Sequence, residues 1–201
     1  MKKGLFKISI ILFSLILMTS IILPENNANA DSNQNNTPNE IGKKVGGDFK
    51  KLDDEQSSKE LSYILNNVFI YDEEGNISDV NTEKSIERYG YVPKEIQEIK
   101  DSVDNKTTPE SQKGFQTEAG YKNSNQCFYG EMQNNFADLI PTSVLGAFLE
   151  EASSGQIKKA TALKLLKAAG KAGVKGNIYS LAAQIVWTNE KCNWQYPSIN
   201  T

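Results

Sequence analysis

The most constraining feature is the run ISIILFSLILMTSIIL at positions 8–23, preceded by Lys2, Lys3 and Lys7 and followed by Pro24 and the small residues of ANA at 28–30. A positive start, an apolar centre and small residues at the last and third-last positions form the pattern of a cleavable secretory signal over 1–30. The rival reading is an uncleaved anchor, because about 17 apolar residues are enough to span a bilayer. The small residues favour cleavage, and no cysteine follows the apolar run to carry a lipid. Export places the rest of the chain in an oxidising compartment, which fixes how its two cysteines read. Cys127 and Cys192 are most simply a disulfide. Two thiols without any histidine are a poor metal set, so neither a metal nor a cofactor is expected.

The absence of histidine also limits chemistry. Triads of the Ser-His-Asp or Cys-His kind cannot be built, and the usual proton carrier near neutral pH is missing. Paired carboxylates, as in glycoside hydrolysis, remain, but the acids are scattered through polar stretches. The reading is therefore not an enzyme.

Charge divides the chain. Residues 31–120 hold 19 acids against 11 bases, a net of −8, whereas 121–201 hold five acids against eight lysines, a net of +3. Residues 31–56 are polar and poor in large apolar side chains, which predicts a disordered linker. A small helical region over 57–104 follows. Leu61, Ile64, Leu65 and Val68 fall at helical spacing, and VFIYDEEGNISDV reads as a short hairpin turning on Gly75 and Asn76. That loop lacks the alternating Asp or Asn of a calcium site. Asn81 or Thr82 caps a helix ended by Gly90, and another starts at Pro93. A second polar linker occupies 105–122, with a protease-accessible composition.

The C-terminal module, 123–195, reads as a bundle of helices before a short tail at 196–201. Phe128, Met132, Phe136, Leu139 and Ile140 suit a first helix ending ahead of Pro141. Val144, Leu145, Phe148 and Leu149 mark a second, over about 141–152, and a third begins at Gln156 or Ile157. A fourth is capped by Asn177, with Ile178, Leu181, Ala182 and Ile185 on one face, and Trp194 packs back on the bundle. The Cys127–Cys192 bridge would tie the first helix to the end of the last. The expected class is mainly α: signal, linker, small helical region, then a disulfide-closed helical module.

Within that module, residues 156–189 carry six lysines and no acid. These are Lys158, Lys159, Lys164, Lys167, Lys171 and Lys175. At about 100° per residue, the last four share one sector, opposite Ala162, Leu163, Leu165, Leu166 and Ala169. Two readings stand: an ordinary solvated face, or a contact for an anionic surface, where each lysine adds about 1 kcal/mol at a membrane. Gly170, Gly173 and Gly176 interrupt the ridge and read as a hinge or a close-packing surface. Nucleic acid is not the expected partner, since the tract has no arginine and the chain is exported.

The layout, with IKKATALKLLKAAGKAGVKG and then IYSLAAQIVW leading to NEKCNW, resembles that of closticin-type secreted bacteriocin precursors of Gram-positive bacteria. The resemblance covers about residues 120–195. It implies a secreted antimicrobial module, released by a processing protease, that permeabilises anionic bacterial membranes; an immunity protein would accompany it. The alternative is an exported, non-enzymatic surface or interaction protein acting as the intact chain.

Overall fold

The computed structural model describes residues 37–108 and 120–197. The signal expected over 1–30, the start of the first linker, most of the second linker and the final four residues lie outside them. The described residues are mainly helical and fall within one compact unit.

Chain order follows from local capping. Asn39 accepts from the Gly42 N–H and opens α1, Glu40–Val45, and Asp48 similarly opens a 3-10 turn over Phe49–Lys51. Asp53 accepts from the Gln56 N–H at 2.7 Å and caps α2, Asp54–Tyr63. Two acids in the first turn of α2 suit the positive end of the helix dipole. A π-helical turn, Ile64–Val68, continues α2 into β1, Phe69–Tyr71. β1 pairs antiparallel with β2, Ile77–Val80, with Phe69 opposite Val80 and a register irregularity between Ile70 and Tyr71. Helix α3, Thr82–Tyr89, is capped by Asn81 and ended by Gly90 in the left-handed conformation, φ 84°. Helix α4, Lys94–Asn105, begins directly after Pro93.

The second half adds α5, Ser124–Asn135; α6, Thr142–Ser153; α7, Lys159–Lys171; and α8, Ile178–Gln195. Asn123 and Asn177 cap α5 and α8 through their side-chain oxygens. The bridge joins Cys127 of α5 to Cys192 of α8, with Cα atoms 5.6 Å apart. It therefore ties the first helix of the C-terminal half to the last, as the cysteine spacing suggests.

Two local expectations need correction. Residues 31–56 do not form a linker throughout: α1 and the 3-10 turn put Val45 and Phe49 in the core. Ile41, Val45, Phe49 and Leu52 are thinly spread through a polar tract, so composition hides an apolar face that the fold uses. Gly42 lies so close to α3 that a Cβ there would collide with the Tyr89 carbonyl oxygen. Helix α5 stops at Asn135, because Ala137 and Asp138 take positive φ, and Leu139 is left exposed at 42% while Phe136 and Ile140 are buried. Trp194 lies one residue from the end of α8. Its ring is 45% exposed and meets Trp187 edge-on at 5.2 Å.

The largest difference concerns organisation. Regions 57–104 and 123–195 do not have separate interiors. One apolar cluster contains Leu61, Ile64 and Leu65 from the first and Leu165, Leu166, Ala169 and Ile185 from the second. Helix α2 packs along α7, α4 and α2 both pack on α8, and α5 packs on α8. An amphipathic helix needs only some apolar surface to cover its stripe; local periodicity does not say that the cover comes from a segment a hundred residues away.

Candidate functional site: the lysine flank and the seam beneath it

All six lysines of the acid-free tract are exposed, so the ridge exists as a surface feature, but half of it is paired. Lys159 Nζ lies 3.2 Å from Glu55 and Lys167 Nζ 3.0 Å from Asp54, both acids belonging to the first turn of α2. Lys158 Nζ lies 3.5 Å from Glu151. Lys164, Lys171 and Lys175 form no ion pair among the described residues. Exposed pairs of this kind contribute only about 0–1 kcal/mol each, so they position charge more than they hold the fold. Their effect on the surface is direct: three of the six cations face an acid, and Lys164, Lys171 and Lys175 face solvent.

Glu151 has a different task. Nearly buried at 7% exposure, it accepts from the Lys158 N–H at 2.8 Å and from Thr161 Oγ1 at 3.1 Å. Its carboxylate sits at the N-terminus of α7, where free N–H groups and the helix dipole favour negative charge. The lysine helix thus begins on a buried acid supplied by α6.

Two of the three glycines redirect the chain, while Gly170 lies inside α7. A Cβ at Gly170 or Gly173 would meet nothing within 4 Å, so neither makes the close-packing surface that their spacing suggests. Gly173 and Gly176 have φ of 76° and 139°, a backbone that other residues rarely adopt. They turn the chain from α7 to α8, and the Gly176 carbonyl oxygen accepts from the Phe49 N–H at 3.2 Å.

The seam under the lysine helix is polar as well as apolar. Asn66, on the π turn after α2, accepts from the Ile157 N–H at 2.6 Å and donates its Nδ2 to the Ile157 carbonyl at 2.8 Å. Ser62 Oγ donates to the same carbonyl at 2.9 Å. Glu95 on α4 accepts from Asn177 Nδ2 and Ser180 Oγ at the start of α8. At the hairpin, Asn189 Nδ2 donates to the Gly75 carbonyl at 3.0 Å, and the Ile77 N–H donates to Glu190 at 3.1 Å. Tyr179 of α8 lies edge-on to Tyr89 and Tyr91, at 5.1 and 6.1 Å. Burying such groups requires that each find its partner, and here the partners come from opposite halves of the chain. None of these pairings has a local sequence signature. The only hint was charge: a net-negative first half and a net-positive second half.

Glu190 is buried, at 5% exposure. Burial pushes its carboxyl above the ordinary value of 4.5, opposed by hydrogen bonds from the Ile77 N–H and from Trp194 Nε1. The folded protein therefore holds this proton more tightly than the unfolded chain does. By linkage, the contribution of Glu190 to stability declines as pH rises from 4.5 through its raised folded value. Urea midpoints measured over that window should fall less in Glu190→Gln than in the natural protein; an identical fall in both would contradict the assignment.

Among the described residues, no helix is long and apolar enough to cross a membrane, and no group of three acid, cysteine or histidine side chains is placed to hold a metal. No protein-family model, curated protein or solved structure matches the chain.

Proposed function

We propose that this is an exported, non-enzymatic interaction protein that acts as the intact disulfide-closed chain. The observation that carries this reading is the shared core. Leu61, Ile64 and Leu65 are packed into the same apolar cluster as Leu165, Leu166 and Ile185, and buried polar groups pair across the two halves at Ile157, Gly75 and Ile77. Separating residues 121–201 from the remainder would expose those side chains at about 25 cal/mol per Å² and leave Asn189 and Glu190 without their partners. The disulfide lies within the second half alone, so it would not resist that separation; the noncovalent seam does. The N-terminal apolar run and the bridge support the export part of this reading.

A second reading has its own support. In a bacteriocin-like precursor, residues 37–108 would cover the lysine helix until proteolysis, and anionic bacterial membranes would be the target. The pairing of Glu55 with Lys159 and of Asp54 with Lys167 favours it, because charge complementarity of this kind directs a cover to its surface. A processing protease and an immunity protein belong to this reading only.

One measurement separates the two. Intact mass of the species in culture fluid should match residues 31–201, lighter by two hydrogens for the Cys127–Cys192 bridge. A stable fragment beginning near residue 121 would overturn the intact-chain reading and support the precursor.

A further inference from the structure

Away from the lysine flank, the hairpin turn, the start of α5, the end of α6 and the end of α8 enclose a cleft of about 370 Å³. That lies within the range of roughly 300–1,000 Å³ typical of small-molecule sites. Amide, hydroxyl and carboxylate side chains dominate the lining, and no lysine or arginine takes part.

Two lining groups are buried and polar. Asn189 is 4% exposed and Ser124 3% exposed. Asn189 spends its Nδ2 on the Gly75 carbonyl, and its Oδ1 accepts no hydrogen bond from the described residues. Ser124 donates its backbone N–H to the Pro197 carbonyl at 3.1 Å, and its Oγ likewise has no protein partner among them. Neither oxygen is sealed from solvent, and both residues line the cleft. Buried polar groups are normally satisfied by protein or by something bound beside them. At the rim, Glu74 and Glu150 are exposed, and the Glu150 carboxylate makes no ion pair or side-chain hydrogen bond within the described residues. Asn125, in the same first turn as Ser124, and Tyr196 also line the cleft, and the Tyr196 ring meets Tyr121 edge-on at 5.7 Å.

We infer that this cleft binds a hydroxyl-rich saccharide bearing an amine. Acceptors and donors at the floor match sugar hydroxyls, Tyr196 brings an aromatic residue to the lining for a sugar face, and two rim carboxylates that form no ion pair among the described residues favour an ammonium and reject anions. The cleft is assembled from both halves of the chain and closed by the bridged helices, and the inference stands whether or not the chain is exported.

The test uses the intact, oxidised protein titrated with the linear trimer of glucosamine, the trimer of N-acetylglucosamine and a sulfated disaccharide, followed by calorimetry or by chemical-shift changes at Asn125 and Asn189. The glucosamine trimer should bind, at least about tenfold more tightly than its acetylated counterpart, and the sulfated sugar should not. Glu150→Lys lies on an exposed position and leaves the core untouched; it should weaken the glucosamine trimer about tenfold or more. Asn125→Ala should weaken both trimers. Absence of binding by either trimer at about 10 mM, or binding unchanged in both variants, would overturn the site; equal binding of the two trimers would overturn the amine.

Discussion

Replacing Cys127 and Cys192 together by serine should lower stability by about 4 kcal/mol and the thermal midpoint by about 10 °C. The bridge spans a sequence separation of 65, and closing a loop of that size removes much of the entropy of the unfolded chain. Both cysteines are fully buried, so the serine hydroxyls would also lose water without gaining designed partners. The bridge joins α5 to α8, and α8 is the helix against which α2, α4 and α5 all pack. Loosening it therefore reaches residues in the first half, and the loss should appear there too. Urea denaturation of the oxidised protein and of the double variant gives the comparison. A difference under about 1 kcal/mol would mean that packing alone holds the two helices in register.

The second large effect belongs to Glu60. Its carboxylate is nearly buried and takes a two-pronged contact from Arg88, Nε to Oε2 and Nη2 to Oε1, each 2.7 Å. Tyr89 OH adds a third bond at 3.2 Å. Arg88 is 22% exposed and lies over the Tyr63 ring at 4.3 Å. Its guanidinium is held above its ordinary value by the hydrogen bond to Glu60, against the cost of desolvation. Glu60→Ala would leave that cation and the Tyr89 hydroxyl without their acceptor, at a cost of about 3 kcal/mol. Replacing both partners with Leu should cost less than the sum of the single replacements, because no unpaired charge remains. Thermal denaturation of the two single variants and the double variant measures this coupling. Strict additivity would mean that the pair contributes nothing as a pair.

The legible parts of this fold are those written in neighbouring residues. Asn81, Gly90 and Asn177 cap their helices as their chemistry requires, because a cap is decided by three or four consecutive positions. The hairpin turns at Gly75, φ 82°. The bridge was readable from compartment and count. What escaped the sequence is tertiary. Val45 and Phe49 lie in a polar tract, and the contacts beside them, Gly42 against Tyr89 of α3 and the Phe49 N–H on the Gly176 carbonyl, come from distant parts of the chain. Leu139 carried the right spacing but fell beyond a helix that ends in two left-handed residues. The lysine ridge was correctly placed on an exposed face, yet the acids that answer Lys159 and Lys167 lie on a helix more than a hundred residues earlier. Helical periodicity reports which face is apolar, not which segment covers it. For that reason two charge-contrasting regions read as separate modules when their stripes in fact cover one another. The cleft has the same origin: Ser124, Glu150 and Asn189 are unremarkable polar residues until α5, α6 and α8 bring them together.

A shared core makes both halves of the chain unfold as one body. Hydrogen exchange followed by mass spectrometry in increasing urea tests it directly, with peptides from Asp54–Tyr63 and from Ile178–Gln195 as the two reporters. A shared core predicts that the slowest amides of both helices lose protection at the same urea concentration and with the same dependence on it. Loss of protection in Asp54–Tyr63 while Ile178–Gln195 stays protected would show a second half that stands by itself, and would contradict the account.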